Sequence, residues 1–277
     1  MSFVMTLHNR TQFLGEAESS IRNQSYPTEL VVIDSSDKPL RDLVRAEKYI
    51  YAPDDESWPP YVSKKWNRAI RVCAGDYVAF IDDDDAKAPD FLSTLVPKLE
   101  QNPALDAVAC CGNIMDETSN VTGPTYGFGD PPSRSSYLRK PGYFITMGHF
   151  LIRRTVFWRK MFDEALGVSE DYDFVLRLMD GSVEFLHDPL VFQRAYPGRL
   201  SANPRVTPAT QFALRRILKK YGVISECCTR CGVTLPAREW MINLGSSGWD
   251  ILCFDCEPKA KMVLIGGEPV VRRETVQ

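Results

Sequence analysis

The chain has 277 residues, 44% hydrophobic and 25% charged, with a net charge of −3 from 33 basic and 36 acidic side chains. These proportions exclude a disordered chain and a globally basic nucleic-acid binder, and the length allows one large domain plus a small one. No apolar run reaches the roughly 18 residues that a membrane helix needs. Met1 to Leu7 has neither a basic lead nor a long apolar core, so it reads as a strand and not as a signal peptide. A cytoplasmic protein with reduced thiols is the expectation.

Strand and helix signals alternate along the first part of the chain. Phe3 to Leu7 predicts a strand. Thr11 to Asn23 predicts a helix, with Phe13, Leu14, Ala17 and Ile21 on one side and Thr11 as N-cap. Leu30 to Ile33 predicts a strand that ends at Asp34, and Tyr49 to Tyr51 another. Lys64 to Cys73 predicts a helix closed by Gly75 at a C-cap position. Tyr77 to Ile81 predicts a strand running straight into Asp82-Asp83-Asp84-Asp85, and Pro89 to Gln101 a helix. Asn113 to Lys140, rich in Gly, Pro, Ser and Thr, reads as a long loop. A helix over Ser169 to Met179 with Ser169 as N-cap follows, then a strand over Val183 to Phe192 and a basic helix over Thr210 to Tyr221. This order predicts an α/β fold, a mostly parallel sheet flanked by helices. Ligands on such sheets sit at the carboxyl ends of strands, where Asp34 and the acidic run lie.

Four adjacent carboxylates repel one another unless a cation joins them. Hard divalent ions such as Mg²⁺ or Mn²⁺ take oxygen ligands and bridge to phosphates. A solvated acidic turn is the plain alternative, because an isolated Asp-x-Asp is a weak signal.

Several ordered motifs add specificity. Thr6-Leu7-His8-Asn9-Arg10, Glu29 through Asp34-Ser35-Ser36-Asp37, Asn67 through Gly75-Asp76 to Asp85, and Glu170-Asp171-Tyr172-Asp173-Phe174-Val175-Leu176-Arg177-Leu178 occur in that order. Over residues 2–200 the chain resembles glycosyltransferase family 2, whose members have the GT-A fold. The resemblance implies a metal-dependent, inverting transfer of a sugar from a nucleotide-diphosphate sugar, a UDP-sugar by preference, to an acceptor hydroxyl. His8, Asn9, Asp34, Asn67, Asp82, Asp83 and Arg194 would bind the nucleotide sugar, with Arg194 and Arg199 on a mobile loop near the diphosphate. Asp84 would be the main ligand of Mn²⁺ or Mg²⁺, with Asp82 and Asp85 beside it. Asp171 would be the catalytic base and Glu170 its support. Asp173 and Arg177, one helical turn apart, fit a simple ion pair. The chain departs from the family at the second turn, where two adjacent acids and a Gly are usual, and near Tyr196-Pro197-Gly198, which lacks a His.

Five of the eight cysteines fall between Cys227 and Cys256. Cys228-Thr229-Arg230-Cys231 and Cys253-Phe254-Asp255-Cys256 are two CxxC pairs whose spacing suits a closed, structural Cys₄ zinc site. Cys73, Cys110 and Cys111 read as buried small hydrophobes. Domains are expected at 1–204, the GT-A part, and 205–277, the basic helix plus zinc module. Residues 205–277 hold 11 Lys/Arg against 7 Asp/Glu, a net of +4 that leaves −7 for the rest. The acceptor is open among polysaccharide, protein and nucleic acid, including a modified base glycosylated as by a phage enzyme. A non-catalytic scaffold that binds nucleotide sugar is the other class of reading. The zinc module would present a polyanionic acceptor, brace the fold or make a dimer contact.

Overall fold

The computed structural model describes residues 1–53, 62–125, 133–139, 146–199, 206–222, 240–245, 248–253, 262–265 and 268–271. Two compact units are present, one of Met1–Tyr137 with Pro141–Ala213 and one of Leu138–Lys140 with Leu214–Gln277.

The first unit is built on a nine-stranded sheet. Strands β1 (Ser2–Leu7), β2 (Glu29–Asp34), β3 (Lys48–Tyr51) and β4 (Tyr77–Asp82) form its parallel half in the order β3-β2-β1-β4. The apolar runs of β1, β2 and β4 are buried on both faces, as parallel strands inside a sheet require, while the edge strand β3 is only partly buried. Phe3, Met5 and Leu7 of β1 meet a core with Leu14, Ala17 and Ile21 of helix α1 (Leu14–Arg22) and Phe91, Leu95 and Leu99 of α3 (Phe91–Gln101). Helix α2 (Val62–Val72) packs on β1 and β2.

The other half is mixed. Short β5 (Ala86–Lys87) pairs antiparallel with β9 (Val183–Arg194), which runs parallel to β6 (Ala107–Met115). Strand β8 (Phe150–Arg153) is antiparallel to both β4 and β6, and β7 (Val121–Pro124) is antiparallel to β6. The mostly parallel sheet expected from the sequence is therefore wholly parallel only in its first half; the second half keeps one parallel pair, β6 with β9, among antiparallel ones. The strand signal of β6 was hidden by its small residues, Ala107, Ala109 and Gly112. The expected loop over Asn113 to Lys140 instead contains the end of β6, β7 and helix α4 (Arg134–Arg139).

Three local expectations also change. Helix α1 starts at Leu14, preceded by Phe13 with no side-chain cap, so Thr11 is not its N-cap. Ser169 precedes α5 (Glu170–Leu178) in a left-handed conformation, φ 59°, and its hydroxyl makes no cap bond. Gly75 is not a left-handed C-cap. Glycine is required there because a Cβ would lie 2.6 Å from the Ser2 backbone nitrogen. Cys73, Cys110 and Cys111 are buried free thiols.

In the second unit, β10 (Trp240–Gly245) pairs antiparallel with β11 (Gly248–Cys253), and β12 (Met262–Ile265) with β13 (Glu268–Val271). Helix α6 (Val206–Lys220) precedes them in the chain. Of the proposed zinc ligands, Cys253 is the last residue of β11, while Cys228, Cys231 and Cys256 lie outside the described residues. Among the described residues no helix is long and apolar enough to cross a membrane.

Candidate active site

Strand register brings the motifs together. Thr6 of β1 sits beside Asp82 of β4, and Leu7 beside Asp34 of β2, so three loops leave the sheet along one edge. Asn9, in the first loop, adopts a left-handed conformation, φ 56°, which Asn tolerates better than most residues. Its backbone N–H donates to Ser36 Oγ at 2.8 Å, and its side chain exchanges hydrogen bonds with Asp37. His8 is exposed, with Nδ1 3.0 Å from the Ser35 carbonyl oxygen. These contacts tie the β1 and β2 loops into one platform. Lys65 of α2 supports it from below, with Nζ 2.7 Å from Ser35 Oγ.

Asp34 is fully buried under this platform. Its carboxylate accepts from the backbone N–H of Ser36 at 2.8 Å, from that of Leu40 at 2.7 Å and from the Tyr49 hydroxyl. Burial opposes its charge, but these donors prevail and hold its pKa below the ordinary carboxylate value. In this structure Asp34 shapes the turn. Asn67 is also spent internally, donating to the Phe162 carbonyl at 3.0 Å and to Glu164 at 2.9 Å while accepting from the Phe162 N–H.

The acidic run forms a turn, with the Asp85 N–H donating to the Asp82 carbonyl. Carboxylate oxygens of Asp82, Asp84 and Asp85 lie within 4.8 Å of one another. Three convergent hard oxygen donors fit a divalent cation such as Mg²⁺ or Mn²⁺. Asp83 points elsewhere and pairs with Arg10, whose Nη1 also reaches Asp84 Oδ2 at 2.7 Å. Tyr196 completes the cluster, its hydroxyl 2.8 Å from Arg10 Nη1 and 3.0 Å from Asp84 Oδ2. Arg10 and Tyr196 escaped the reading of the sequence. Arg10 closes the Thr6–Arg10 motif, where nothing in the sequence assigns it a role, and Tyr196 occupies the stretch where the family commonly has a His.

Helix α5 delivers the remaining acids. Its buried face joins an aromatic stack: Phe174 to Phe162 at 4.4 Å between ring centroids, and Phe162 to Phe80 of β4 at 5.6 Å. Phe80 lies two residues before Asp82, so the stack sets the start of α5 against the end of β4. Burial raises Asp171 to about 7; the Tyr172 N–H works against this and the charge of Asp82 adds to it. Glu170 rises well above the ordinary value through burial first and Asp171 second. Asp82 rises to about 6 by burial and by Asp84, although its side chain touches water, because protein surrounds it at longer range. The expected Asp173–Arg177 pair is present at 2.7 Å.

Arg194 differs from its expected place on a mobile loop. It is the last residue of β9 and 2% exposed. Its guanidinium donates to the carbonyls of Asp84 at 2.9 Å and Asp116 at 2.8 Å, pairs with Glu16 at 2.5 Å and stacks over Phe13. Its backbone N–H donates to Asp85. Arg194 therefore braces the acidic turn from behind.

A half-parallel, half-mixed sheet with an acidic turn at the end of β4 and an acid pair facing it defines a GT-A-type glycosyltransferase domain. Residues 2–160 match Glycosyl transferase family 2, and the chain belongs to that family. An uncharacterized protein of Sinorhizobium fredii is 28% identical over 241 residues, which cover 80% of this chain and 25% of that protein. An uncharacterized glycosyltransferase of Methanocaldococcus jannaschii is 23% identical over 199 residues, 67% of this chain and 66% of the relative. The S. aureus TarS structure in complex with UDP-GlcNAc superposes with a TM-score of 0.60 at 16% identity, covering 79% of this chain and 65% of that one. At that identity the likeness is one of fold. The chain spans a quarter of the first relative's length and about two thirds of the second's.

Proposed function

We propose that the protein is a metal-dependent, inverting glycosyltransferase that moves a sugar from a nucleotide-diphosphate sugar to an acceptor hydroxyl. The observation that carries this reading is the convergence of the Asp82, Asp84 and Asp85 carboxylate oxygens within 4.8 Å of one another, near Asp171, whose pKa burial raises to about 7. A carboxylate with that proton affinity is a far better base near neutral pH than an ordinary aspartate. Asp171 takes the proton of the acceptor hydroxyl as its oxygen attacks the anomeric carbon opposite the departing diphosphate. Glu170 adjoins Asp171 at the start of α5, and burial first, then the charge of Asp171, raises its pKa well above the ordinary carboxylate value.

Asp82, Asp84 and Asp85 would hold Mn²⁺ or Mg²⁺, which when bound offsets negative charge on the leaving diphosphate. Arg10 holds Asp84 in place from the other side. His8, Asn9 and the Ser35–Asp37 turn form the platform for the nucleoside, with Asp34 fixing the turn's shape. The UDP and UDP-GlcNAc complexes of TarS support UDP as the nucleotide. A structural Zn²⁺ on Cys228, Cys231, Cys253 and Cys256 rests on their CxxC spacing.

The test is a panel of nucleotide sugars screened by thermal shift with and without Mn²⁺, followed by donor turnover. A UDP-sugar should raise the melting temperature only with Mn²⁺. Full turnover by Asp171→Asn would overturn the assignment of the base.

A further inference from the structure

One patch of the first unit lies far from this site and has no part in the chemistry above. Trp158 is 73% exposed, the most exposed large apolar side chain among the described residues. Single exposed apolar residues are ordinary, but this one borders a cavity of about 360 Å³ lined by Ile70, Arg71, Arg154, Phe157, Trp158 and Met161. Val72 adds a second exposed apolar side chain next to Arg71.

The surroundings are basic. Helix α2 contains no acid, and its exposed positions Lys64, Arg68 and Arg71 lie on one face. The Arg154 guanidinium lies over the Trp158 ring, 5.9 Å from its centroid, and its buried Nε has no hydrogen-bond partner. Arg159 pairs with Asp106 at 2.9 Å, and Arg71 approaches Glu164 at 4.0 Å. Arg68 and Arg154 form no ion pair among the described residues.

The geometry points to a peripheral membrane-docking surface in which Trp158 enters an anionic lipid interface while Arg68, Arg71 and Arg154 meet the headgroups. Tryptophan favours the interface because its ring is apolar and its N–H remains wet, and arginine stems cover apolar surface while their heads stay charged. A basic patch with one aromatic anchor suits an anionic leaflet. The apolar cavity beside the arginines distinguishes this surface from a simple polyanion site. Arg154 follows Arg153, which pairs with Tyr77 at the start of β4, whereas Asp82 ends that strand roughly 17 Å away. Docking here leaves the strand-end site turned away from the bilayer.

The test is co-sedimentation of the full chain with phosphatidylcholine vesicles and with vesicles that also contain phosphatidylglycerol. Binding is expected only to the anionic vesicles, and high salt should reverse it. Trp158→Ala should weaken it about tenfold, and Arg68→Gln and Arg71→Gln about fivefold each. Melting temperatures should stay put, because Trp158, Arg68 and Arg71 are all exposed. No binding by the unaltered chain, or equal binding by the variants, would overturn the proposal. So would heparin or DNA binding as tight as vesicle binding and insensitive to Trp158→Ala, which would mark a polyanion surface. Sugar transfer is read separately with soluble donor, so its failure leaves this result intact.

Discussion

Arg10 and Tyr196, 186 positions apart in the chain, meet on one oxygen: Arg10 Nη1 lies 2.7 Å and the Tyr196 hydroxyl 3.0 Å from Asp84 Oδ2. The guanidinium also pairs with Asp83, whose side chain is 1% exposed. Without Arg10, a buried carboxylate and a crowded acidic turn lose their cation.

Arg10→Ala should therefore destabilise the protein by about 1–3 kcal/mol, discounted from a fully buried pair because Arg10 is partly exposed. Added Mn²⁺ should recover more melting temperature in this variant than in the unaltered protein. Parallel thermal melts with and without the ion check both points.

Asp171→Asn should lower turnover by about 10²- to 10⁴-fold, the usual worth of a positioned base. The unaltered enzyme should gain activity as pH rises through about 7, because the base must be unprotonated. Stability should move the opposite way. A carboxyl whose folded pKa is raised binds its proton more tightly when folded, so its contribution falls between the unfolded value and about 7. Asn at this position should flatten that slope in melts across pH.

Gly75→Asn should destabilise the protein by about 1–3 kcal/mol, since a Cβ there meets the Ser2 backbone at 2.6 Å. A left-handed C-cap would tolerate Asn, so urea midpoints distinguish the two explanations.

Arg194→Lys should cost about 2–4 kcal/mol, because an ammonium cannot reproduce a planar fork that reaches Asp84, Asp116 and Glu16 at once. Chemical denaturation measures this directly.

Prolonged chelation should release about one zinc per chain and lower a melting transition. Cys228→Ser should contain less metal after purification, and elemental analysis of both proteins checks it.

The parallel half of the sheet is legible in the amino-acid sequence. The apolar runs at Phe3–Leu7, Leu30–Ile33 and Tyr77–Ile81 are long, local signals whose burial on both faces leaves little choice of structure. The sequence also marks the acidic turn, because adjacent carboxylates repel unless a cation joins them, and the acids at the start of α5, whose place in the ordered motifs says more than the ordinary preference of acids for a helix N-terminus. Strand β6 was invisible, since Ala, Cys and Gly carry weak strand preference and only its pairing with β8 and β9 makes it extended. The internal hydrogen bonds of Asp34, Asn67 and Arg194 are equally hidden in the sequence. Each looked available for a ligand, yet each is taken up by partners that only folding supplies: the Tyr49 hydroxyl, the Phe162 backbone and the carbonyls of Asp84 and Asp116. Residue type and spacing state which chemistry a side chain can do. Whether its hydrogen bonds remain free to do it depends on neighbours distant in the chain, and those are decided by tertiary packing.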